Sequence, residues 1–353
     1  MAGSLIDIIV FAPLAPIFGV ILFWFIQLLF IENLKYLLTK IRDNHEPLCR
    51  FTNFLGILFQ TICHALGYTV TKSGISSFYI SVNYGKVAPK REKTGVFEWM
   101  SNAFLFIGPF FIPSTLLLIY LFFLMDKGFN IISTTNYTFS GNLTAFGENL
   151  YYFSEGFIGF LSNIDLLHPA HLGFFILLIF LGLGTRPSFI GEKKPEKVDM
   201  LFDLKNIRYN ILHKPLYIFI LFLIVYFLSY ISFLFKQNWY VTLFSILGWL
   251  SIIAIISLIV AYLIIILIKL TDEIPGLWKL LPYITIPVSY LSMRSFFLYY
   301  PYSFSKSVSI LVTIISTSLV VFVLLKYRTN KFKTKVDIKS LMKLGEGEKD
   351  GPR

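Results

Sequence analysis

The most chemically informative residue in the sequence is a histidine within an apolar segment. His64 lies near the end of the run Phe54-Leu-Gly-Ile-Leu-Phe-Gln-Thr-Ile-Cys-His-Ala-Leu-Gly-Tyr68. An ionisable side chain at membrane depth is energetically costly, so it indicates a functional site. A helix that holds a catalytic zinc ion reads His-Glu-x-x-His, with the glutamate as base. Ala65 and Tyr68 stand at the positions of the base and the second ligand.

A second set of possible metal ligands follows later in the chain. His168-Pro-Ala-His171 places two imidazoles three residues apart, a spacing that suits one helical face, and Asp165 precedes them by three residues. These residues could form a metal site at the outer mouth of the protein, or they could be ordinary polar residues of an interfacial loop. His64 also has a structural interpretation, in which it hydrogen-bonds a carbonyl or Gln60 one turn earlier.

The composition of the chain is that of a membrane protein. Of its 353 residues, 56% are hydrophobic and 14% are charged, whereas a soluble domain carries about 25% charged residues. The net charge of +11 is expected to reflect loops that face anionic lipid headgroups, and no nucleic-acid partner is expected. The sequence has no phosphate-binding loop, nucleophile elbow or dinucleotide fingerprint, so phosphoryl and hydride chemistry are unsupported.

The apolar pattern predicts an all-α polytopic membrane protein with about eight transmembrane helices and a small membrane-associated β-hairpin. The seventh predicted span contains Lys279 and Arg294, so a half-helix or an interfacial segment is an alternative there. The expected spans are 5–31, 52–70, 101–125, 172–185, 216–235, 239–269, 276–299 and 304–327.

The distribution of lysine and arginine predicts the orientation. Residues 126–171 contain one basic residue and residues 185–215 contain seven, so the first segment is expected outside and both termini in the cytoplasm of a cell-membrane protein. Asn136 and Asn142 each begin an Asn-x-Thr sequence in this outer loop, which predicts N-glycosylation. Four basic residues within 32–51 conflict with the outside location of that segment, unless the first or second span is re-entrant.

One segment between the second and third spans follows a strand pattern. Residues 75–84 alternate with a period of two, which predicts a β-strand. Gly85-Lys86 is the expected turn, and residues 87–89 are expected to begin the return strand. Because lipid-exposed strand edges are not tolerated, the hairpin must pack on helices or lie at the membrane surface. The alternating residues proposed to bind a partner are Phe78, Ile80, Val82 and Tyr84.

The order of these features resembles the site-2 protease family of intramembrane zinc metallopeptidases. A His-bearing helix, a hairpin and a helix with Ile107-Gly-Pro-Phe-Phe-Ile-Pro113 follow one another, and the similarity covers about residues 52–190, ending near Thr185-Arg-Pro-Ser188. In that family the hairpin presents substrate beside the metal helix. The resemblance fits the predicted topology, in which hairpin 75–89 lies on the cytoplasmic side and loop 126–171 lies outside.

The resemblance also implies that this chain does not catalyse proteolysis. Only His64 matches a family metal ligand, because Ala65 replaces the catalytic glutamate and Tyr68 replaces the second histidine. A phenol with an ordinary pKa of about 10 is a poor zinc ligand at neutral pH. The family's third ligand is an aspartate in a later span, whereas segment 172–185 has no acidic residue. No cofactor is therefore expected, with zinc as the alternative.

Three functions are compatible with the sequence. The leading hypothesis is a non-catalytic integral membrane protein that binds or scaffolds another membrane polypeptide or complex through strand addition at the hairpin. The alternatives are a transporter or its membrane subunit, and an active intramembrane zinc protease with an unorthodox site. The expected organisation is a membrane core over 1–190 with hairpin 75–89 and outer loop 126–171, a second helical bundle over 191–327, and a basic cytoplasmic tail over 328–353.

Overall fold

Within the described residues, the fold consists of helices with one two-stranded sheet. A computed structural model describes residues 5–82, 84–125, 131, 136–185 and 208–347, and only the backbone at residues 210, 211 and 329–347. The predicted inner segment 186–207, the predicted boundary after residue 190 and the end of the tail lie outside the described residues. The described elements are α1 (Leu14–Ile41), α2 (Glu46–Val70), β1 (Ile75–Ile80), β2 (Gly85–Pro89), α3 (Val96–Phe106), α4 (Gly108–Leu124), α5 (Phe139–Ser162), α6 (Pro169–Gly184), α7 (Pro215–Leu234), α8 (Trp239–Asp272), α9 (Leu281–Tyr299) and α10 (Ser305–Gly347).

Several of the described helices are long and apolar enough to cross a membrane. Four segments meet this criterion, namely Asp7–Ile41, Pro215–Leu234, Trp239–Asp272 and Ser305–Arg328. Helices α3 and α4 meet it together but are bent by 64° relative to each other, and α6 is apolar but shorter. The structure therefore supports an integral helical membrane protein, while the predicted number of eight spans is not confirmed. Helices α2 and α9 are not among the described helices that are long and apolar enough to cross a membrane.

The segment 32–51, expected as an outside loop, is mostly helical. Helix α1 continues to Ile41 and α2 begins at Glu46, so only a short turn connects them. The basic side chain of Lys35 is buried and pairs with Glu32 at 3.0 Å. Burial of both charges is tolerated because each neutralises the other. The conflict with the positive-inside rule stays, because that rule counts lysine and arginine and not net charge.

The predicted outer loop 126–171 contains a helix that packs inside the protein. The buried residues of α5 recur at helical spacing, and they include Asn149 and Phe153. The Asn149 side-chain amide donates to Ser245 Oγ of α8 at 3.2 Å, while Trp249 Nε1 donates to the Asn149 carbonyl at 3.1 Å. The Phe153 ring stacks on Trp249 at 5.1 Å. Residues 139–162 of the predicted outer loop are therefore helical and partly buried, and the outside location of this segment stays a prediction.

Helices α6 and α8 approach each other with almost no side chain between them. A Cβ atom added at Gly182 would overlap the Ser257 carbonyl and would lie 2.9 Å from Ala261 Cβ. Glycine is required at such a contact because the two backbones meet directly. At the end of α6, a Cβ on Gly184 would lie 3.0 Å from Leu55 Cβ of α2. These two glycines join α6 to both α2 and α8.

The chain divides into two compact units at a place other than the predicted boundary. The first unit comprises Met1–Leu161 and Asp165–Ile265, and it includes α7 and most of α8. The second comprises Ser162–Ile164 and Ile266–Arg353, in which α9 packs along α10. Helix α10 continues to Gly347, so the start of the predicted tail has a helical backbone.

Candidate functional site

His64 and Tyr68 form a packed ring pair on α2. Their ring centroids lie 4.4 Å apart, and both side chains are half-buried. Residues four positions apart share a helix face, so the two rings occupy the positions that two histidine ligands would take. Ala65 presents a methyl group where a base would stand. Within the described ranges, no three His, Cys, Asp or Glu side chains are grouped so that they could hold a metal ion.

The second histidine set lies at the start of α6, where Asp165 and His168 precede the helix and His171 belongs to its first turn. The rings of His168 and His171 lie 4.8 Å apart. His171 Nδ1 accepts a hydrogen bond from the Asp165 backbone N–H at 3.0 Å, and the Asp165 carboxylate accepts one from Leu167 N–H at 3.1 Å. A lone pair that accepts an N–H bond is not available to a cation. The contacts therefore favour the interpretation of these residues as an ordinary polar loop.

The β-hairpin is present, but its turn lies earlier than predicted. β1 pairs antiparallel with β2, and Ile80 lies opposite Gly85. The return strand therefore begins at Gly85, and Val82 and Tyr84 lie in the connection between the strands. The connection closes with a bond from Ser81 N–H to the Tyr84 carbonyl at 2.9 Å. The prediction of Gly85-Lys86 as the turn is wrong, because both residues already pair across the sheet.

The hairpin folds back along α2 instead of projecting from it. A Cβ atom on Gly85 would overlap Thr61 Oγ1 and would lie 2.9 Å from Ile57 Cγ2, so the hairpin tip rests directly on the helix. Thr61 lies nine residues before the end of α2 at Val70, which corresponds to about 14 Å along the helix axis. His64 shares the helix face of Ile57 and Thr61, because positions i, i+4 and i+7 coincide on a helix.

The base of the hairpin is held by hydroxyl groups and by backbone bonds. Thr71 Oγ1 lies 2.9 Å from Ser73 Oγ and 3.3 Å from Ser101 Oγ of α3. Gly74 has a φ of 68°, which lets the chain reverse between α2 and β1. Its carbonyl accepts a bond from Lys90 N–H at 3.0 Å. The entry and exit of the hairpin are therefore in direct contact.

One edge of β1 carries backbone groups that β2 does not use. In an antiparallel ladder, hydrogen-bonded and non-hydrogen-bonded pairs alternate. The bond between Ser81 and Tyr84 makes Ile80–Gly85 a non-hydrogen-bonded pair, and Phe78–Val87 is the next one. The N–H and C=O groups of Phe78 and Ile80 therefore point away from β2. We call these four groups the free edge of β1, since the sheet has two strands within the described residues.

The side chains beside the free edge are largely accessible. Phe78 and Tyr79 are 50% and 51% exposed, whereas Ile80 is half-buried. In the turn, Val82 and Tyr84 are 48% and 56% exposed. The alternating pattern therefore does not bury one face of the strand, as a period of two normally would. Of the four predicted partner-binding residues, Phe78, Val82 and Tyr84 are therefore exposed on the hairpin.

The helix expected after the hairpin is a bent pair. Helices α3 and α4 meet at Ile107, with a bend of 64° between them. The bend brings Gly108 against α2, where an added Cβ would lie 3.0 Å from Cys63 Cβ. The segment Ile107–Pro113 therefore packs beside the helix that bears His64.

The two glycosylation sequences differ in accessibility. Asn136 is exposed, and its side-chain oxygen accepts a bond from Thr138 Oγ1 at 3.0 Å. Asn142 is 4% exposed, and its Nδ2 atom donates to the Ala12 carbonyl at 3.0 Å. A glycan would be attached to this same nitrogen, so the fold is incompatible with modification at Asn142. N-glycosylation at Asn136 stays a prediction.

No family model, curated protein or solved structure matches the chain. The candidate site therefore rests on the geometry of the hairpin and α2. Sequence reasoning missed two of its features, namely the contact of Gly85 with Thr61 and the backbone direction at Phe78 and Ile80. The contact of Gly85 with Thr61 has one signal in the sequence, namely a glycine that directly follows an alternating strand. The second requires the pairing register, which the sequence alone leaves open.

Proposed function

We propose that this chain is a non-catalytic integral membrane protein that binds another membrane polypeptide by pairing with an extended segment of it. The observation that supports the proposal is the free edge of β1 beside a helix of a membrane protein. Lipid cannot satisfy backbone N–H and C=O groups, so such an edge favours a partner strand. Strand addition supplies main-chain hydrogen bonds to the segment, and neighbouring side chains select its residues.

The chemistry of α2 supports the absence of catalysis. Ala65 has no group that can accept a proton from a zinc-bound water. Tyr68 packs against His64 and leaves one imidazole as the sole credible ligand on that helix face. A catalytic zinc site needs about three protein ligands. In this proposal, α2 serves as the support against which the hairpin packs.

The partner segment has an expected composition. Phe78 offers half of its aromatic surface, and Tyr79 packs near Tyr84 with ring centroids 5.3 Å apart. Extended segments with β-branched or aromatic side chains fit such a surface, because cross-strand pairs of these residues stabilise a sheet. We place the hairpin on the cytoplasmic side of a cell membrane, with both termini in the cytoplasm, as the positive-inside rule favours.

Removal of the hairpin tests the proposal directly. Because Lys90 N–H bonds the Gly74 carbonyl at 3.0 Å, residues 75–89 can be replaced by two glycines without separating the flanking segments. Affinity purification of the full chain from its native membranes should recover a partner polypeptide, and the shortened chain should not. The melting temperature in detergent serves as the control for folding. Recovery of the same polypeptide by a folded chain without the hairpin would contradict the proposal.

A further inference from the structure

The base of the hairpin carries a cluster of basic side chains. Between α2 and α3 the chain contains five lysine or arginine residues and one glutamate. Lys72, Lys90 and Arg91 are exposed, and none of the three makes an ion pair with another described residue. Lys90 N–H donates to the Gly74 carbonyl at 3.0 Å, and Arg91 N–H donates to the Ser73 carbonyl at 3.1 Å. The three side chains therefore leave the backbone at neighbouring points, and we call them the basic cluster.

Lys72 occupies a backbone position that favours glycine. Its φ is 55°, in the left-handed region, which is costly for a residue with a Cβ atom. Ser73 N–H donates to the Tyr68 carbonyl at 2.9 Å, a helix ending in which the residue at the position of Lys72 is usually glycine. A lysine can stabilise the carbonyls of a helix end, but Lys93 already donates to the Thr71 carbonyl. Strained residues are concentrated at functional sites, so the strain indicates a role for the Lys72 side chain.

Two apolar segments begin side by side near the hairpin base. Helix α7 is long and apolar enough to cross a membrane, and it begins at Pro215. Helices α3 and α4 meet this criterion together, and they begin at Val96. Lys214 Nζ lies 3.3 Å from Glu98 Oε2, which joins the start of α7 to the first turn of α3. Since the ends of spanning helices lie at the headgroup layer, both starts belong to one membrane surface.

Lys93 connects the basic cluster to the start of α3. Its ammonium group donates to the Thr71 carbonyl, next to Lys72, and lies 4.6 Å from the centre of the Phe97 ring. Phe97 is 48% exposed, and Val70 at the end of α2 is 53% exposed. Exposed apolar side chains beside basic ones are typical of surfaces that lie in the headgroup layer of a bilayer. The surroundings of the basic cluster therefore suit a lipid headgroup, with its acyl chains nearby, better than a free anion in water.

We infer that Lys72, Lys90 and Arg91 bind the phosphate groups of anionic phospholipids in the leaflet next to the hairpin base. Arginine can hold a phosphate through two parallel N–H bonds, and the lysines add point charges. In the proposed orientation this is the cytoplasmic leaflet, which carries anionic lipids. The bound lipids hold the hairpin base at the membrane surface. The basic cluster lies outside residues 75–89, so lipid binding does not depend on a partner strand at the free edge of β1.

Fluorescence quenching beside the basic cluster tests this inference on the full chain in phosphatidylcholine nanodiscs. Thr94 is exposed and both native cysteines are buried, so a bimane label can be attached selectively to Thr94→Cys. The quenchers are phosphatidylserine and phosphatidylcholine that carry the same spin label on an acyl chain. The association constant at the label should favour phosphatidylserine at least about tenfold, because each basic residue near an anionic surface contributes about fivefold. Equal association of the two lipids would overturn the inference.

Lys72→Gly separates lipid binding from folding. Glycine adopts a positive φ without strain, so this variant should melt at or above the wild-type temperature, while its preference for phosphatidylserine falls about fivefold.

The matched control is Lys236→Gly at the other end of α7. Lys236 is exposed and has a φ of 53°, so its replacement relieves the same strain and removes the same charge. It lies beyond the 20 residues of α7, about 30 Å along the helix axis from Lys214, and the preference at the label should be unchanged. An unchanged preference in Lys72→Gly, or equal losses in the two variants, would contradict the role of the basic cluster.

Discussion

Chains with Ile80→Pro are expected to recover at least about fivefold less of the partner polypeptide than wild-type chains. The Ile80 N–H points away from β2, and proline removes this donor from the free edge of β1. The carbonyl of the partner segment that this N–H would meet then loses its hydrogen-bond donor. Loss of one such bond costs about 1–3 kcal/mol, which corresponds to an association weaker by about 5- to 150-fold. The measurement is quantitative affinity purification from native membranes.

The matched control is the same substitution on the other strand. Val87 lies in the other non-hydrogen-bonded pair, so its N–H points away from β1. Proline at either position leaves the bonds between the strands in place, because Tyr79, Lys86 and Ser81 make those bonds. Val87→Pro should therefore retain the partner. Equal losses for both variants would mean that proline disturbs the hairpin in general, and the free edge would then lose its assigned role.

Gly182→Leu is expected to destabilise the protein by about 3 kcal/mol. Any Cβ at this position overlaps the Ser257 carbonyl, and the larger side chain must push α6 away from α8. Because backbone atoms of a helix cannot rotate aside as a side chain can, the whole contact has to open. The free energy of unfolding is measured by titration of the purified protein in mixed micelles with a denaturing detergent.

Gly147→Leu is the appropriate control for the glycine substitution. Gly147 is exposed on α5, and a Cβ added there meets no atom within 4 Å. Glycine is about 0.8–1 kcal/mol less favourable than alanine in a helix, and leucine is nearly as good a helix former as alanine, so this variant should be as stable as wild type or slightly more stable. A loss at Gly147 equal to that at Gly182 would show that the close approach of α6 and α8 is not what limits stability.

Much of the fold follows from hydropathy and period. Long apolar runs with few charges predict α7, α8 and the apolar part of α10, because a spanning helix must satisfy its backbone internally. Hydropathy does not predict helix α5, because Asn149 and its neighbours bury polar groups against Ser245 and Trp249. Such burial depends on partners about 100 residues away in the sequence, which a local pattern cannot reveal.

The candidate site shows the same division between local and distant information. The alternation around Phe78 predicts a strand, but the sequence predicts the turn at Gly85-Lys86, whereas the return strand already begins at Gly85. The direction of each backbone group depends on the pairing register, which the turn geometry sets. The contact of Gly85 with Thr61 joins residues 24 positions apart, so only the folded chain displays the hairpin lying along α2.

The most direct test of the central claim is photo-cross-linking from the free edge of β1 in intact native membranes. A benzophenone amino acid replaces Phe78, and in a separate chain it replaces Phe123, which is 83% exposed on α4. The account predicts a discrete adduct between residue 78 and an extended segment of a different membrane polypeptide, and no such adduct from residue 123. The same adducts from both positions, only lipid adducts from residue 78, or an adduct with a second copy of this chain would contradict the proposed function.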